Sequence, residues 1–329
     1  MRHDKQNLTD AEKSYARSLF IRRYGIAFVM IAMFVFLSIA TKNFLTAANL
    51  LNTISTIAVN GCIALGACFV ITAGGIDLTV GAMLAWGSVV IGLLLQKFDS
   101  PAYIPAICLV AILTCGLTGL INGFLISRFH MFPFVVTLAM QLVIRGLATA
   151  MTGGVSIPLT VREFTVIGLG KFLGVVPYPA IILVILTIIA YFLMHWTKFG
   201  RYVFAVGGNI DAARAAGVNV GFVQTMTYII SGLFTGVSAC IMTARISASQ
   251  PNVGVGYETD AIAACVIGGT SFAGGVATIP GTFMGIVIIG LIYNGMNLMG
   301  VQSYWQTVCK GILIVGAVLI DNFINKNRR

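Results

Sequence analysis

A single carboxylate, Asp77, lies within the apolar stretch CFVITAGGIDLTVGAML at residues 68–84. Gly74 and Gly75 precede it and can end one helix so that another begins after them. A carboxylate at such a start accepts backbone N–H groups and meets the positive end of the helix dipole. Two interpretations stay open: Asp77 caps a helix at a cytoplasmic turn, or it lines the route of a polar solute through a membrane.

Neutral polar residues lie inside or beside other apolar stretches of the chain. Their amides can hydrogen-bond the hydroxyls of a solute, although any one of them more often joins two helices. We place Asp77, Asn60, Gln141 and Asn294 in a candidate translocation pathway on these grounds. Arg145 and Lys310 are further charges within such stretches, and we expect them to extend to an outer membrane interface rather than to gate or bind a solute.

The stretch KFGRYVFAVGGNIDAARAAGVNVG at residues 198–221 predicts a short helix of about two turns. Asn209 is a favourable N-cap, and Gly217 is a favourable residue just beyond the C-terminus. So short a helix is unstable alone in water, and its alanine-rich face suits a groove in a partner protein. A helix lying on the membrane surface usually has bulky apolar residues along one face. The residues assigned to partner docking are Asn209, Ile210, Asp211, Ala212, Arg214 and Gly217.

The sequence predicts no catalysis, metal site or bound cofactor in this chain. It contains no phosphate-binding G-x-x-x-x-G-K-[ST] loop, no H-E-x-x-H motif and no evident Ser-His-Asp arrangement. Its 3 histidines are scattered, and its 7 cysteines fall in apolar stretches without a C-x-x-C pair. An integral membrane enzyme is therefore disfavoured.

The composition indicates an all-α, polytopic membrane protein. Hydrophobic residues make up 58% of the 329 residues, charged residues 9%, and the mean hydropathy is +0.96. Because a span needs about 20 apolar residues, we predict about ten transmembrane helices, some broken by Gly-rich turns. Their approximate bounds are 24–40, 54–73, 79–96, 103–127, 132–152, 178–195, 222–245, 258–270, 279–298 and 303–321. The eighth is too short to cross a membrane as a simple helix.

Basic clusters predict the orientation of the chain. The net charge is +10, and 6 of the 20 Lys and Arg residues lie in the first 23 positions, where positive-inside anchoring explains them better than nucleic-acid binding does. We therefore expect a cytoplasmic segment at 1–23, a transmembrane domain at 24–321 and a cytoplasmic tail at 322–329. The loop 196–221 then faces the cytoplasm, and the loops 153–177 and 246–257 face outward.

Three motifs in this order resemble the permease subunit of ribose-type ABC sugar importers. They are GGIDLTVGA at 74–82, GRYVFAVGGNIDAARAAGVNV at 200–220 and GYETDAIAACVIGGTSFAGG at 256–275, and the resemblance covers nearly the whole chain. It implies a pore of two permease chains, identical or paralogous, in a bacterial inner membrane. It also implies cytoplasmic ATP-binding subunits that use ATP and Mg²⁺, and an extracytoplasmic sugar-binding protein.

The resemblance assigns the segment from Asn209 to Gly217 to coupling with the ATPase, and it matches Asp77 to the family's signature acid without giving that acid a role. Thr79 stands where the family often has serine, which keeps the hydroxyl. The implied function is import of ribose or a related monosaccharide by alternating access. Two alternatives stay open, namely an ion-coupled secondary transporter that works alone and a membrane scaffold subunit without transport.

Overall fold

The computed structural model describes residues 10–326, so the first nine residues of the predicted segment 1–23 and the last three of the tail 322–329 lie outside it. Thirteen α-helices occur in this described part. They are Asp10–Ala40 (α1), Ala47–Thr72 (α2), Val80–Lys97 (α3), Ile104–Phe129 (α4), Pro133–Thr152 (α5), Val166–Leu169 (α6), Tyr178–His195 (α7), Lys198–Gly208 (α8), Ile210–Ala215 (α9), Val220–Ile246 (α10), Tyr257–Ile267 (α11), Ile279–Leu298 (α12) and Ser303–Lys326 (α13).

Four two-residue strands interrupt the otherwise helical chain. They are Ile157–Pro158 (β1), Lys171–Phe172 (β2), Val176–Pro177 (β3) and Ala248–Ser249 (β4). The strands β1 and β4 pair antiparallel, as do β2 and β3. Short 3₁₀ helices cover Pro101–Tyr103 and Arg162–Thr165. The prediction of a mostly helical protein is thus confirmed, with two small ribbons that the sequence analysis did not anticipate.

Seven helices of the described residues are long and apolar enough to cross a membrane, namely α2, α3, α4 (with the preceding 3₁₀ turn), α5, α7, α10 and α12. The apolar part of α1, Gly25–Ala40, is shorter than that standard. The helix α11 has only 11 residues, in agreement with the expectation that the eighth predicted span cannot cross alone. The count of about ten spans stays a prediction.

The helix α2 is the centre of the bundle. Of its most apolar 18-residue window 83% is buried, whereas the corresponding values are 22% for α5 and 28% for α7. It packs against α7, α10, α11 and α12. The outer helices instead expose large apolar side chains such as Leu142 on α5 and Ile188 on α7. A hydrophobic surface of this extent suits lipid or another membrane-embedded chain.

Two non-helical segments, each partly buried and partly exposed, connect helices of the bundle. One joins α2 to α3 over 73–79, and the other joins α11 to α12 over 268–278. The segments meet where the backbone N–H of Gly275 donates to the Thr72 carbonyl at 2.9 Å. Both use glycine at positive φ, with +81° at Gly74 and +85° at Gly274. The predicted Gly-rich breaks are confirmed, and their backbone groups bond inside protein, as irregular structure at membrane depth requires.

Candidate functional site

The helix α9 has the capped geometry that its sequence predicts. The Asn209 side chain accepts the Ala212 backbone N–H at 2.9 Å at the N-terminus. At the C-terminus Gly217 adopts φ +81°, its N–H donates to Arg214 O at 3.0 Å, and the N–H of Val218 donates to Ala213 O at 3.0 Å. These two bonds form a Schellman motif. A six-residue helix is therefore held in shape by both of its ends.

One side chain of α9, Ala213, is buried, and the rest of the helix faces outward. Ile210 is exposed, and Arg214 pairs with Asp211 at 3.2 Å in an ion pair that is itself solvent-exposed. Such a pair contributes little to stability. These residues are therefore free to contact a partner, and the structure brings together all six that were assigned to docking.

The main chain at the junction between α8 and α9 contacts the end of α2 and the segment 268–278 without intervening side chains. A Cβ atom at Gly207 would overlap the carbonyl oxygen of Thr72 and would lie 2.6 Å from the backbone nitrogen of Gly275. A Cβ atom at the neighbouring Gly208 would meet nothing within 4 Å. The main chain before α9 is thus in direct contact with the end of α2 and with the loop that leads into α12.

Asp77 is the centre of a buried hydrogen-bond network, which we call the Asp77 network and which comprises Asp77, Thr79, Asn122 and Ser231. Oδ1 of Asp77 accepts the backbone N–H of Thr79 at 3.0 Å and also the Thr79 hydroxyl, while Oδ2 accepts the Ser231 hydroxyl at 2.8 Å. Nδ2 of Asn122 donates to the Thr79 hydroxyl oxygen at 2.9 Å. The network connects the start of α3 to α4 and α10.

The depth of Asp77 differs from the expectation of a turn at the end of the bundle. Its partner Ser231 lies near the middle of α10, and the Tyr228 hydroxyl donates to the adjacent Ile76 carbonyl at 3.0 Å. The carboxylate is 3% exposed. It accepts a backbone N–H as predicted, but Thr79 is the N-cap residue of α3. The glycines turn the chain back inward after Thr72, which a topology read from hydropathy alone does not reveal.

A polar cavity lies between α2, α11 and α12, and we call it the Asn60 cavity. It encloses about 530 Å³ of space outside the protein atoms, including its open mouth. Its lining residues are Asn52, Thr53, Thr56, Ile57, Asn60, Asp260, Ala264, Ile286, Ile289, Gly290, Tyr293, Asn294 and Asn297. Two predicted pathway residues, Asn60 and Asn294, therefore share one cavity, whereas Asp77 and Gln141 are not among its lining residues.

Asn52, Thr56 and Gly290 line the cavity but were not predicted as pathway residues, although their spacing in the sequence could have indicated them. Asn52, Thr56 and Asn60 recur every four residues along α2, and Gly290, Asn294 and Asn297 follow a similar spacing along α12. This spacing puts each set on one helix face, so the polar stripes could have been found by periodicity. Periodicity could not have placed Asp260 in the cavity, because its position opposite α12 depends on where the short helix α11 packs.

Charged groups surround the cavity and are held by protein partners. Nζ of Lys310 lies 2.7 Å from Oδ1 of Asp260, and the Tyr293 hydroxyl donates to the same oxygen at 2.6 Å. Nη2 of Arg245 donates to Asn52 Oδ1 and to Thr56 Oγ1, both at 3.0 Å. The expectation that Lys310 extends to an outer interface is wrong, because a buried carboxylate binds it instead.

Arg145 is likewise bound within the protein. Its Nη1 donates to the carbonyls of Pro251 at 2.9 Å and Val253 at 2.7 Å. The expected extension to the interface is wrong here too, since the guanidinium fixes the segment 250–253. This segment follows β4, and β4 pairs with β1 from the other predicted outer loop. The two loops thus form one hydrogen-bonded surface, which we call the ribbon surface.

Among the described residues no group of three or more His, Cys, Asp or Glu side chains could hold a metal ion. Three candidate sites have been described, namely the proposed docking helix α9, the Asn60 cavity and the ribbon surface. Arg245, which donates to the cavity residues Asn52 and Thr56, lies near the C-terminus of α10, immediately before β4. The cavity accordingly belongs to the half of the bundle that carries the ribbon surface, and α9 belongs to the opposite end.

Comparison with known proteins relates most of this chain to membrane transport. Residues 49–318 match the family model described as branched-chain amino acid transport system, permease component. A ribose import permease protein of Bacillus subtilis (strain 168) is 42% identical over 305 residues, which cover 92% of this chain and 93% of that protein. No solved structure matches.

Two further relatives are named for other sugars. An L-arabinose ABC transporter permease protein of Azospirillum brasilense is 35% identical, with 94% of this chain and 90% of that protein covered. A D-allose transport system permease protein of Escherichia coli (strain K12) is also 35% identical, with 96% of each chain covered. These similarities agree with the motifs that suggested a permease subunit.

Proposed function

Because the chain belongs to the family of branched-chain amino acid transport system permease components, we propose that it forms the membrane pore of an ATP-driven sugar importer. It is an integral membrane protein, and the proposed cargo is a monosaccharide such as ribose. The relatives named for ribose, arabinose and allose support a sugar over an amino acid. The proposed setting is a bacterial inner membrane, with both termini in the cytoplasm.

The observation that carries the proposal is the exposed, doubly capped helix α9. It offers a preformed surface to a cytoplasmic ATP-binding subunit, which binds ATP and Mg²⁺ and performs the hydrolysis. The chain itself has no phosphate-binding loop. A second permease chain completes the pore, and a sugar-binding protein docks on the ribbon surface at the other end.

The backbone contacts at Gly207 suggest how hydrolysis drives transport. Movement of α9 by the ATPase displaces the junction that touches the Thr72 carbonyl and the Gly275 nitrogen. These groups belong to the end of α2 and to the segment before α12, and both helices line the Asn60 cavity. The partner therefore biases the balance between two conformations of the cavity walls, which is the physical requirement for alternating access.

The test is reconstitution of the permease with its ATP-binding subunit and binding protein in lipid vesicles, with uptake of labelled sugar as the measurement. The variant Arg214→Glu reverses an exposed charge on α9, and we expect it to reduce uptake at least about tenfold by weakening ATPase docking. The matched control is Arg128→Glu. Arg128 is also exposed and lies near the C-terminus of α4, where Ser127 contacts Thr225 close to α9.

Normal uptake by Arg214→Glu together with full ATPase binding would show that α9 is not part of the docking surface. If the permease accumulates sugar on an ion gradient without any ATPase, the ion-coupled alternative replaces the importer. Loss of uptake in Arg128→Glu to the same degree would show a general effect of charge at this end of the bundle.

A further inference from the structure

We propose that the Asn60 cavity is a sugar-binding site inside the permease, with Asp260, Asn60 and Thr53 as the groups that bind the sugar hydroxyls. This inference rests on the proposed function, since it specifies the chemistry of the cargo within the pore. It assigns the binding carboxylate to Asp260 in place of Asp77.

Two buried polar atoms of the cavity have no partner in the protein. Asn60 Oδ1 and Thr53 Oγ1 are inaccessible to solvent and make no hydrogen bond with any of the described residues. Leaving such an atom unsatisfied costs on the order of 1–3 kcal/mol. Both residues lie on α2 and line the cavity. Both atoms are closed to water in this conformation, so a sugar hydroxyl reaches them only when the cavity wall opens, and an apolar solute would leave them unsatisfied even then.

Asp260 supplies a third, stronger acceptor. Lys310 and Tyr293 both bind its Oδ1, and none of the described side chains donates to its Oδ2. The side chain is 4% exposed, and Lys310 balances its charge. Hydrogen bonds to a carboxylate are roughly twice as strong as those between neutral groups. A pair of neighbouring sugar hydroxyls is well suited to this acceptor.

The remaining lining residues favour a neutral polyol over a charged solute. The lining includes four Asn side chains and no Lys or Arg, so the carboxylate of a free amino acid would find no cation on the cavity wall. The nearby cations Lys310 and Arg245 are already engaged with Asp260, Asn52 and Thr56. Apolar wall residues such as Ile57 and Ile289 can pack against the C–H faces of a sugar ring.

The cavity opens at one side, and its empty volume of about 530 Å³ includes the space of that mouth. A mouth that is open to one side and a limited number of hydrogen bonds fit a site that must also release its cargo. The expected binding is weak, as passage through a pore requires.

The first experiment uses the double variant Thr53→Val/Asn60→Leu in the reconstituted complex, with labelled D-ribose, L-arabinose and D-allose as probes. Asn60 Oδ1 and Thr53 Oγ1 have no partner among the described residues, and both substitutions are close in size to the original side chains, so we expect the fold to be retained. We expect sugar uptake to fall about tenfold while ATP hydrolysis stimulated by loaded binding protein is unchanged. The number of sugars moved per ATP hydrolysed therefore falls by the same factor. Thr53→Ser keeps the hydroxyl and is expected to preserve uptake.

The matched control is Thr235→Val, which alters a buried threonine whose hydroxyl bonds within α10 and does not line the cavity. Its sugar-to-ATP ratio should equal that of the wild type. A wild-type ratio in the double variant would overturn the cavity as a sugar site. If the wild-type complex takes up none of the three sugars, the proposed function itself fails, which is a different result.

A second experiment separates sugar binding by Asp260 from its ion pair with Lys310. The variants are Asp260→Asn, Lys310→Met and the two combined, compared as a double-mutant cycle. If Asp260 binds sugar, the sugar-to-ATP ratio stays at least about tenfold low in the combined variant, although no unpaired charge remains. Recovery of the ratio in the combined variant would show that Asp260 serves the ion pair alone and would remove it from the site.

Discussion

Two buried aspartates show how differently one residue type can be used in this protein. Both oxygens of Asp77 accept hydrogen bonds from protein groups, two from Thr79 on Oδ1 and one from Ser231 on Oδ2, and the residue is buried away from the Asn60 cavity. Asp260 lines a cavity, and the described residues that bind it, Lys310 and Tyr293, both do so on one oxygen of its carboxylate. The Asp77 network joins three helices and leaves Asn122 Oδ1 without a partner, whereas at the Asn60 cavity the atoms without partners, Asn60 Oδ1 and Thr53 Oγ1, belong to residues that line an open space.

The comparison teaches that burial of a charge inside an apolar bundle is not sufficient to identify a transport pathway. The Asp77 carboxylate is bonded on both oxygens and stabilises one arrangement of α3, α4 and α10. The Asp260 carboxylate lines a cavity and is bonded on one oxygen, which is the arrangement proposed above for a ligand. The two regions should therefore respond in opposite ways to substitution, in stability at one and in transport at the other.

The largest expected effect on stability is at Gly207, in the junction between α8 and α9. Gly207→Ala should destabilise the complex by about 3 kcal/mol or more, because the added methyl would overlap the Thr72 carbonyl oxygen, and backbone cannot easily move aside. The measurement is the thermal unfolding midpoint of the purified complex. Gly208→Ala is the control, since its methyl would meet nothing within 4 Å. Equal midpoints in the two variants would refute the close approach.

A smaller effect is expected in the Asp77 network. Asp77→Leu leaves the Thr79 N–H and two hydroxyls without their acceptor, so the free energy of unfolding should fall by about 2–3 kcal/mol. Asp77→Asn retains an acceptor for Thr79 and should lose less. The measurement is again thermal unfolding, accompanied by sugar uptake. An Asp77→Leu variant with wild-type stability and no uptake would reverse the comparison and place Asp77 in the pathway.

The smallest effect is expected on the stability of the cavity wall. Thr53→Val replaces a buried hydroxyl that has no partner with a methyl group, so the free energy of unfolding should stay the same or rise by up to about 1 kcal/mol. Thr235→Val removes a hydroxyl that donates to Ser231 O at 2.8 Å and should lower it slightly. Denaturation of the two variants in parallel measures the difference. A clear loss of stability in Thr53→Val would mean that its hydroxyl has a structural role.

Much of the docking helix was predictable because its signals are local. Asn209 and Gly217 act on the backbone within a few residues, so cap chemistry alone gave a helix within one residue of α9 (Ile210–Ala215). The long spans were predictable for a similar reason, since apolar length is a property of contiguous sequence. The start of α2 was predicted at 54 but lies at Ala47, because Thr46 caps a helix whose first turns are less apolar.

The sequence by itself determined the class of the protein, most long helices, the glycine breaks and the capped helix α9, since each follows from composition or from neighbours along the chain. Only the tertiary structure decided which polar groups meet. It paired Asp77 with Ser231, bound Lys310 to Asp260 and put Asn60 and Asp260 around one cavity. These contacts join residues far apart in sequence, so they depend on how α2, α10, α11, α12 and α13 pack, and no local pattern encodes that.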